Sequence, residues 1–476
     1  MVKPDKQFDK WLKESGEVVR ERLTQGLSQG QADALMLMIE FLTIKGPDMF
    51  VLKGYAGTGK TFIVKKLIDY ISNKYHGSRI AVTAPTNKAV HVLLSRREYK
   101  SHFVTYQTIH SLLGLTETIN ANGVVTFTTK KGNSGEMDKI RFLIVDETSM
   151  LQDDIFKMLE KYSSTVKIIF MGDPAQIPPV GRVDCIPFKR SLSTHYEEGY
   201  TLTEIMRQAK GNPIIEASFI LRDNLEVANP IPVLETRKDD DGHGLIWIDS
   251  STDKDGMLML LESHFVCSKF KDNPDYAKLI AWRNRTVASA NSRIRGMIYG
   301  DEELKKIMPG EKLLANKPIF DEDGAIVFNT SEEFTIESYR IVDKKIVFGS
   351  KILTVKIYEC TLDITSSKLM TNKIKVLHED SEADYARMLE DLKQLAIKDK
   401  DKSRWVTFYD ALKWPADIAY NYAITAHKAQ GSTYENVFLM EDDINANQNI
   451  VERNRIKYTS YSRASHKLYV YRTNPF

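Results

Sequence analysis

Eight residues, Gly54-Tyr55-Ala56-Gly57-Thr58-Gly59-Lys60-Thr61, combine the types that can hold a polyphosphate. Glycines let backbone N–H groups turn inward around the phosphates. A following helix adds its dipole, and Lys60 supplies a fixed cation for the terminal phosphates. Thr61 offers a hydroxyl to Mg2+. The pattern needs a strand before it and a helix after it. Both are legible: Met49–Leu52 is an apolar run, and Phe62, Ile63, Leu67, Ile68 and Ile71 recur at helical spacing across Phe62–Ser72. A chance Gly-rich turn would lack that setting. The segment predicts a nucleoside triphosphate site.

Two more apolar runs end in groups that could work on such a ligand. Phe142-Leu143-Ile144-Val145 reads as a buried strand and leads into Asp146-Glu147. Parallel sheets carry their functional groups at the carboxyl ends of the strands, beside the phosphate loop. Asp146 would hold Mg2+, and Glu147 would act as general base for the attacking water. A lone Asp-Glu pair is ordinarily a solvated turn; the strand and the loop upstream argue otherwise. Lys167-Ile168-Ile169-Phe170-Met171 then ends in Gly172-Asp173-Pro174-Ala175-Gln176-Ile177-Pro178-Pro179. Gln176 can bond a phosphate or the attacking water, and the double proline fixes a rigid loop.

Taken together, these segments resemble the superfamily 1 helicases, and most of all the small phage Dda-type and RecD-like enzymes of the 5′→3′ branch, superfamily 1B. The resemblance runs from Leu27 to Arg463, with motifs in family order. It implies that Gln31 reads adenine and that the loop from Gly54 through Tyr55, Ala56, Gly57, Thr58 and Gly59 to Lys60 and Thr61 binds ATP. Ala84-Pro85-Thr86-Asn87-Lys88-Ala89 and Thr108-Ile109-His110-Ser111-Leu112 resemble the strand-binding motifs. Thr425-Ala426-His427-Lys428-Ala429-Gln430-Gly431-Ser432-Thr433 and Tyr458-Thr459-Ser460-Tyr461-Ser462-Arg463-Ala464 match the last two motifs, and Ala281-Trp282-Arg283-Asn284-Arg285 an earlier one. Pro85, Thr86, Thr108, His110, Thr425 and His427 are thereby nominated for single-stranded DNA. Arg207, in Leu202-Thr203-Glu204-Ile205-Met206-Arg207, and Arg463 fall on the two arginine fingers. UvrD-like members place an aromatic before the first finger, where this chain has Met206.

Those arginines have a physical warrant of their own. Phosphoryl transfer is accelerated mainly by charge placed around the terminal phosphate, and a fork-shaped guanidinium suits that task. If Arg207 and Arg463 sit on a different domain from Lys60, ATP closes a cleft and hydrolysis reopens it.

Composition restricts the alternatives. A chain of 476 residues is too long for one core. Hydrophobic content of 42% and charged content of 27% are those of a globular protein. With a net charge of only +2, nucleic acid would have to use a local channel. Three cysteines without paired spacing argue against a disulfide framework or zinc and fit a reducing, cytoplasmic setting, the host's if the chain is phage-encoded. Met1–Arg20 shows no signal-peptide core and no run is long enough for a membrane span. A GTPase-type switch would want Asn-Lys-x-Asp, but Asn87-Lys88-Ala89-Val90 lacks the aspartate. A translocase that strips bound proteins without unwinding would share every ATPase motif.

The expected fold class is α/β, with two tandem RecA-like phosphate-loop domains. Residues 1–26 form an N-terminal extension and 27–199 the first domain; 200–307 and 421–476 form the second. Within the first, 115–140 carries a hairpin, read from β-prone runs around Asn122-Gly123 as a type I′ turn. Val124-Val125-Thr126-Phe127 would present an edge at a DNA fork, with Phe127 stacking on a base. Within 308–420, short alternating runs at Phe334–Glu337, Ile352–Ile357 and Ile374–Leu377 suggest a small β-barrel, which the resemblance identifies as SH3-like. A helical segment, Ser381–Ile397, follows it, and Lys398–Lys402 reads as a solvated loop. The activity implied is ATP- and Mg2+-dependent unwinding of forked duplex DNA, 5′→3′, by a monomer, in replication or recombination. Its polarity rests on the resemblance alone.

Overall fold

The computed structural model describes residues 21, 23–43, 49–95, 103–120, 122, 124–129, 135–179, 181–189, 199–204, 211–300, 304–320, 326–363 and 373–473. The first body contains β1 (Met49–Gly54), β2 (Ile80–Ala84), β3 (Val104–Thr108), β4 (Leu115–Ile119), β5 (Val125–Thr129), β6 (Phe142–Val145), β7 (Lys167–Gly172) and β8 (Tyr200–Leu202). Six of these pair in parallel in the order β3-β2-β6-β7-β1-β8. A parallel sheet is covered on both faces, so its strands read as unbroken apolar runs. All four residues of β6 are buried. Phe50, Leu52, Val82, Phe142 and Ile144 meet the helices Gln29–Thr43 and Lys60–Lys74 on one face. Val51, Ala81, Leu143 and Val145 meet Ile155, Phe156 and Leu159 on the other. Residue alternation along each strand thus feeds two separate cores.

The second body is built from β9 (Arg237–Lys238), β10 (Gly244–Asp249), β11 (Ala277–Ala281), β19 (Ala423–Thr425), β20 (Tyr434–Met440) and β21 (Ala464–Arg472). Their order is β19-β11-β20-β21-β10-β9, parallel except for β9. The chain leaves this sheet after β11 and returns at β19. In between lie β12 (Lys312–Ala315), the short pair β13 (Ile319–Phe320) and β14 (Ile326–Phe328), then β15 (Glu333–Phe348), β16 (Lys351–Leu362), β17 (Lys373–Leu377) and β18 (Ile418–Tyr420). The antiparallel order β17-β16-β15-β12-β18 leaves β17 and β18 at the edges. Ala416 N–H nevertheless donates to Lys375 O (2.7 Å), bringing the residues before β18 onto β17.

Three local expectations change. The β4–β5 hairpin pairs Ile119 with Val125, and Asn120 N–H donates to Val124 O. Five residues, 120–124, therefore lie between the strands, an odd number that a two-residue type I′ turn does not fit. The cause is Asn120, whose Oδ1 accepts from the amides of Asn122 and Val124 (both 2.9 Å). The runs around Phe334 and Ile352 belong to one long ribbon joined at Phe348 and Lys351. Asp343-Lys344-Lys345 within it lies on paired strand. The far part of this ribbon is held by its own small core, with Ile346, Val355 and Ile357 packing on Tyr385, Met388 and Leu392. Finally, the charged stretch is a corner between two helices. Glu379–Asp399 ends at Lys400 (φ 50°), and Asp401 caps Lys402–Lys413 by accepting from Ser403 N–H.

Residues 1–20 lie outside the described residues. Leu23 packs on the first core, and Lys66 donates to Gln25 O. Among the described residues no helix is long and apolar enough to cross a membrane.

The inserted sheet is tied to the second body by a buried ion pair. Arg295, on the helix Asn284–Tyr299, donates to both oxygens of Glu311 (2.6 and 2.9 Å), and Tyr422 donates to the same carboxylate (3.0 Å). Breaking such a pair from one side strands a buried charge. Arg295→Met is expected to cost about 3–5 kcal/mol in urea unfolding; a loss below about 1 kcal/mol, the range of exposed pairs, would show that the pair does not hold this junction.

Candidate functional site

The phosphate loop has the shape its residues imply. Gly57 and Gly59 adopt left-handed conformations (φ 80° and 78°) that cost other residues strain. A Cβ on Gly54 would sit 2.8 Å from Thr58 Oγ1 and 3.1 Å from Lys60 Cγ. Gly59 is the N-cap of Lys60–Lys74 and no side chain caps it, so the helix start faces into the loop. The Lys60 ammonium donates to Gly54 O (2.6 Å) and Tyr55 O (3.0 Å), which holds a cation at this end of the cradle. Gln31 is buried and donates through Nε2 to Thr58 O (3.0 Å), while its Oε1 accepts from Ser28 N–H. Its carboxamide thus braces the loop from the side. Thr61 opens the same helix, one residue after Lys60.

Carboxylates and amide converge from the neighbouring strand ends. Asp146 follows β6 and accepts from Glu147 N–H (2.8 Å). Glu147 is one of three described non-glycine residues with positive φ (48°), a conformation that persists only where surroundings enforce it. A Cβ placed on Gly431 would lie 3.7 Å from Glu147 Oε1, so the loop after β19 in the second body stands over this carboxylate. Gln176 is buried, and its Oε1 has no hydrogen-bond partner. An orphaned acceptor is costly unless a ligand or water satisfies it. The glycine cradle, the fixed ammonium and this open acceptor fit a triphosphate with its attacking water.

Three groups not singled out from the sequence complete the cleft. Asp173 Oδ2 accepts from Ala56 N–H (3.1 Å) and from the hydroxyl of Tyr458 (2.5 Å), on the second-body helix Ile450–Tyr461. Arg222 stacks on Tyr55, its guanidinium carbon 4.1 Å from the ring centre. Both Asp173 and Tyr458 lay inside motifs that were legible, but nothing local marks them as partners. Gln430 Nε2 also donates to Ile177 O (2.9 Å), and Arg455 to Asp184 (2.5 Å), so the Asp173–Asp184 loop carries much of the contact between bodies.

Of the arginines, Arg207 lies outside the described residues. Arg463 is buried, and each of its three side-chain bonds is made within the second body, to Thr459 O, Ser432 O and Ser462 Oγ. It is folded into its own body, beside Tyr458 in the same motif.

The DNA candidates share one device. Thr86, Thr108 and Thr425 follow β2, end β3 and end β19, and each hydroxyl oxygen accepts from an amide three residues on (3.3, 3.2 and 3.3 Å). Pro85 links β2 to the first of these caps. Each is therefore a helix cap whose own O–H proton can still be donated. His110 and His427 are half-buried, and burial lowers both below the usual imidazole range, with Asp154 and Glu452 opposing. His110 also packs edge-on against Phe127 (centroids 5.1 Å), which is 38% exposed on β5.

Known proteins place these features in a family setting. Residues 26–235 match the family model described as an AAA domain, and 420–471 the UvrD-like helicase C-terminal domain. The ATP-dependent DNA helicase dda of Enterobacteria phage T4 is 27% identical, covering 87% of this chain and 92% of that protein. The uncharacterized protein R530 of Acanthamoeba polyphaga mimivirus is also 27% identical, over 90% and 97%. The RecBCD subunit RecD of Buchnera aphidicola (subsp. Schizaphis graminum) is 24% identical, over 90% and 70%.

The lowered histidines have a consequence for acid stability. His110, His264 and His427 are each pushed below 6.5, first by burial. The unfolded chain then takes up protons before the folded one, so stability is full above pH 6.5 and is lost as pH falls below it. The urea midpoint is expected to drop between about pH 7.5 and about pH 5.5; a flat or rising midpoint would contradict neutral, buried imidazoles.

Proposed function

We propose that this chain, which belongs to the superfamily 1B DNA helicases, hydrolyses ATP between its two parallel-sheet bodies and uses the resulting motion to unwind DNA, advancing 5′→3′ on a single strand. The observation that carries this reading is the seam itself. Tyr458 and Gly431 of the second body reach Asp173 and Glu147 of the first, beside the Lys60 ammonium. A nucleotide bound by the phosphate loop would lie in that seam, and its hydrolysis would alter how the bodies meet.

Within the seam, Lys60 neutralises the terminal phosphate, Thr61 and Asp146 hold Mg2+, and Glu147 takes the proton of the water that Gln176 orients. Bound Mg2+ supplies charge neutralisation at the phosphates. Arg463 turns toward the phosphate by giving up bonds inside its own body, and Arg207 is the second candidate cation. Gln31 and the residues Gly54–Thr61 select and cradle ATP. Thr86, Thr108 and Thr425 donate their hydroxyl protons to the DNA backbone, while Pro85, His110 and His427 flank the strand as neutral groups. We read the two sheets as tandem RecA-like domains; the boundary expected at 199 moves past β8, because Tyr200–Leu202 pairs with β1 in the first sheet, and the second domain runs from there to 307 and over 421–476. The near-closure of β17 on the residues before β18 supports an SH3-like insert within 308–420.

An alternative is a translocase that displaces bound proteins without separating strands. The hairpin favours unwinding, because Phe127 stands partly exposed at its edge and braced by His110.

Lys60→Ala is expected to abolish ATP turnover, and Glu147→Gln to bind ATP without hydrolysing it, measured with single-stranded DNA present. Wild-type turnover in Glu147→Gln would remove it as the base. Arg463→Ala should bind both ligands yet lose on the order of 10³-fold in turnover; a loss of only a fewfold would make it a structural arginine.

Phe127→Ala tests the hairpin on duplexes with 5′ or 3′ tails. DNA-stimulated ATPase and single-strand translocation are expected to persist while unwinding of the 5′-tailed duplex falls sharply. Equal loss of all three activities would mean that Phe127 merely packs against His110.

A further inference from the structure

The mechanism above leaves a buried hydroxyl at the phosphate loop unused. Tyr458 is 1% exposed, on a helix of the second body, and its hydroxyl lies at the phosphate loop of the first. It donates to Asp173 Oδ2 (2.5 Å), and its oxygen accepts from Ala56 N–H (3.2 Å). The same amide also donates to Asp173 Oδ2 (3.1 Å), and Asp173 Oδ1 accepts from Ala175 N–H (2.9 Å). Burial, reinforced by the Asp173 charge, holds the Tyr458 hydroxyl well above the ordinary phenol range, so it stays a donor.

The position of that amide is informative. The ammonium of Lys60 rests on the carbonyls of Gly54 and Tyr55, the two residues before Ala56. The lysine of such a loop serves the terminal phosphates, so this end of the cradle is where a terminal phosphate, as opposed to a diphosphate, would arrive. The Ala56 amide there is engaged by a carboxylate, and that carboxylate is tied to the second body by Tyr458. An incoming terminal phosphate competes with Asp173 for one donor, and the two anions repel at close range.

We propose that Tyr458 is a positioning residue through which the second body senses the terminal phosphate, by holding Asp173 on the Ala56 amide until a triphosphate displaces it. This rests on the ATP-site reading above. Displacement of Asp173 disturbs its bond to Tyr458, and so the helix that ends at Tyr461, two residues before Arg463. Presence of the terminal phosphate is thereby reported to the segment that carries the arginine. Two further hydrogen bonds across the seam, Gln430 to Ile177 O and Arg455 to Asp184, do not touch the phosphate loop, whereas the Arg222 guanidinium stacks on its Tyr55. They keep the bodies attached when this one is lost.

Tyr458→Phe keeps the ring and removes only the hydroxyl; Asp173→Asn removes the competing charge and serves as the second variant. Equilibrium binding of fluorescent ADP and of a non-hydrolysable ATP analogue is measured for both, together with their unfolding midpoints and DNA-stimulated kcat. Both variants are expected to bind ADP as wild type while their preference between analogue and ADP shifts by about tenfold, the scale of one hydrogen bond to a buried charge. The double variant should be no further shifted than either single one, since both remove the same contact. In Tyr458→Phe kcat should fall by a similar factor, and KM for ATP should shift in step with the affinity for the analogue. An unchanged analogue-to-ADP preference overturns the proposal, as does an equal change for both nucleotides with a lowered midpoint, which is the mark of packing alone. Additive effects in the double variant overturn it too. Wild-type nucleotide binding by Lys60→Ala would instead overturn the ATP-site reading itself.

Discussion

A carboxylate shared between two bodies organises this molecule. Asp173 is almost fully buried at the end of β7, and it accepts from an amide of the phosphate loop and a hydroxyl of the second body. A buried charge of this kind must be satisfied wherever it sits. Satisfying it here forces β7, the phosphate loop and the helix Ile450–Tyr461 into one arrangement. The parallel sheets then matter chiefly as platforms that bring strand ends to that point. β1, β6 and β7 deliver Gly54, Asp146 and Asp173, and β19 delivers the loop that covers Glu147.

Strain and incomplete bonding are concentrated at the same place. Glu147 holds a left-handed backbone, Gln176 carries an unpartnered buried oxygen, and Arg463 is engaged only within its own body. The surrounding cores show the opposite character, with apolar faces packed on both sides of each sheet. A rigid frame around a few unsatisfied groups is what a ligand-driven closure requires, since the ligand supplies what the frame leaves open.

Much of this was legible in the sequence because the signals are local. The β6 run Phe142–Val145 is a strand over those same residues, and the glycines at 57 and 59 stand where positive φ is needed. Thr108 before a helical turn is a cap, as its residue type allows. What could not be read depends on distance along the chain or on side-chain competition. Tyr458 and Asp173 are 285 residues apart, and neither residue type advertises the other. The Arg295–Glu311 pair joins a helix of one sheet to the start of another. Asn120 reshaped a turn by offering its own oxygen to two amides. The long β15–β16 ribbon read as separate short runs because charged residues on its exposed faces interrupt the apolar alternation.

Closure of the seam by a triphosphate is the claim on which the rest depends, and the distance between bodies measures it. Donor and acceptor dyes at cysteines introduced for Lys161 and Met259, both exposed, would report it, with the half-exposed Cys267 replaced by serine. On single-stranded DNA, a non-hydrolysable ATP analogue should bring energy transfer to a value distinct from both the nucleotide-free and the ADP-bound protein. Identical transfer in all three states would contradict a motor that works by opening and closing this seam.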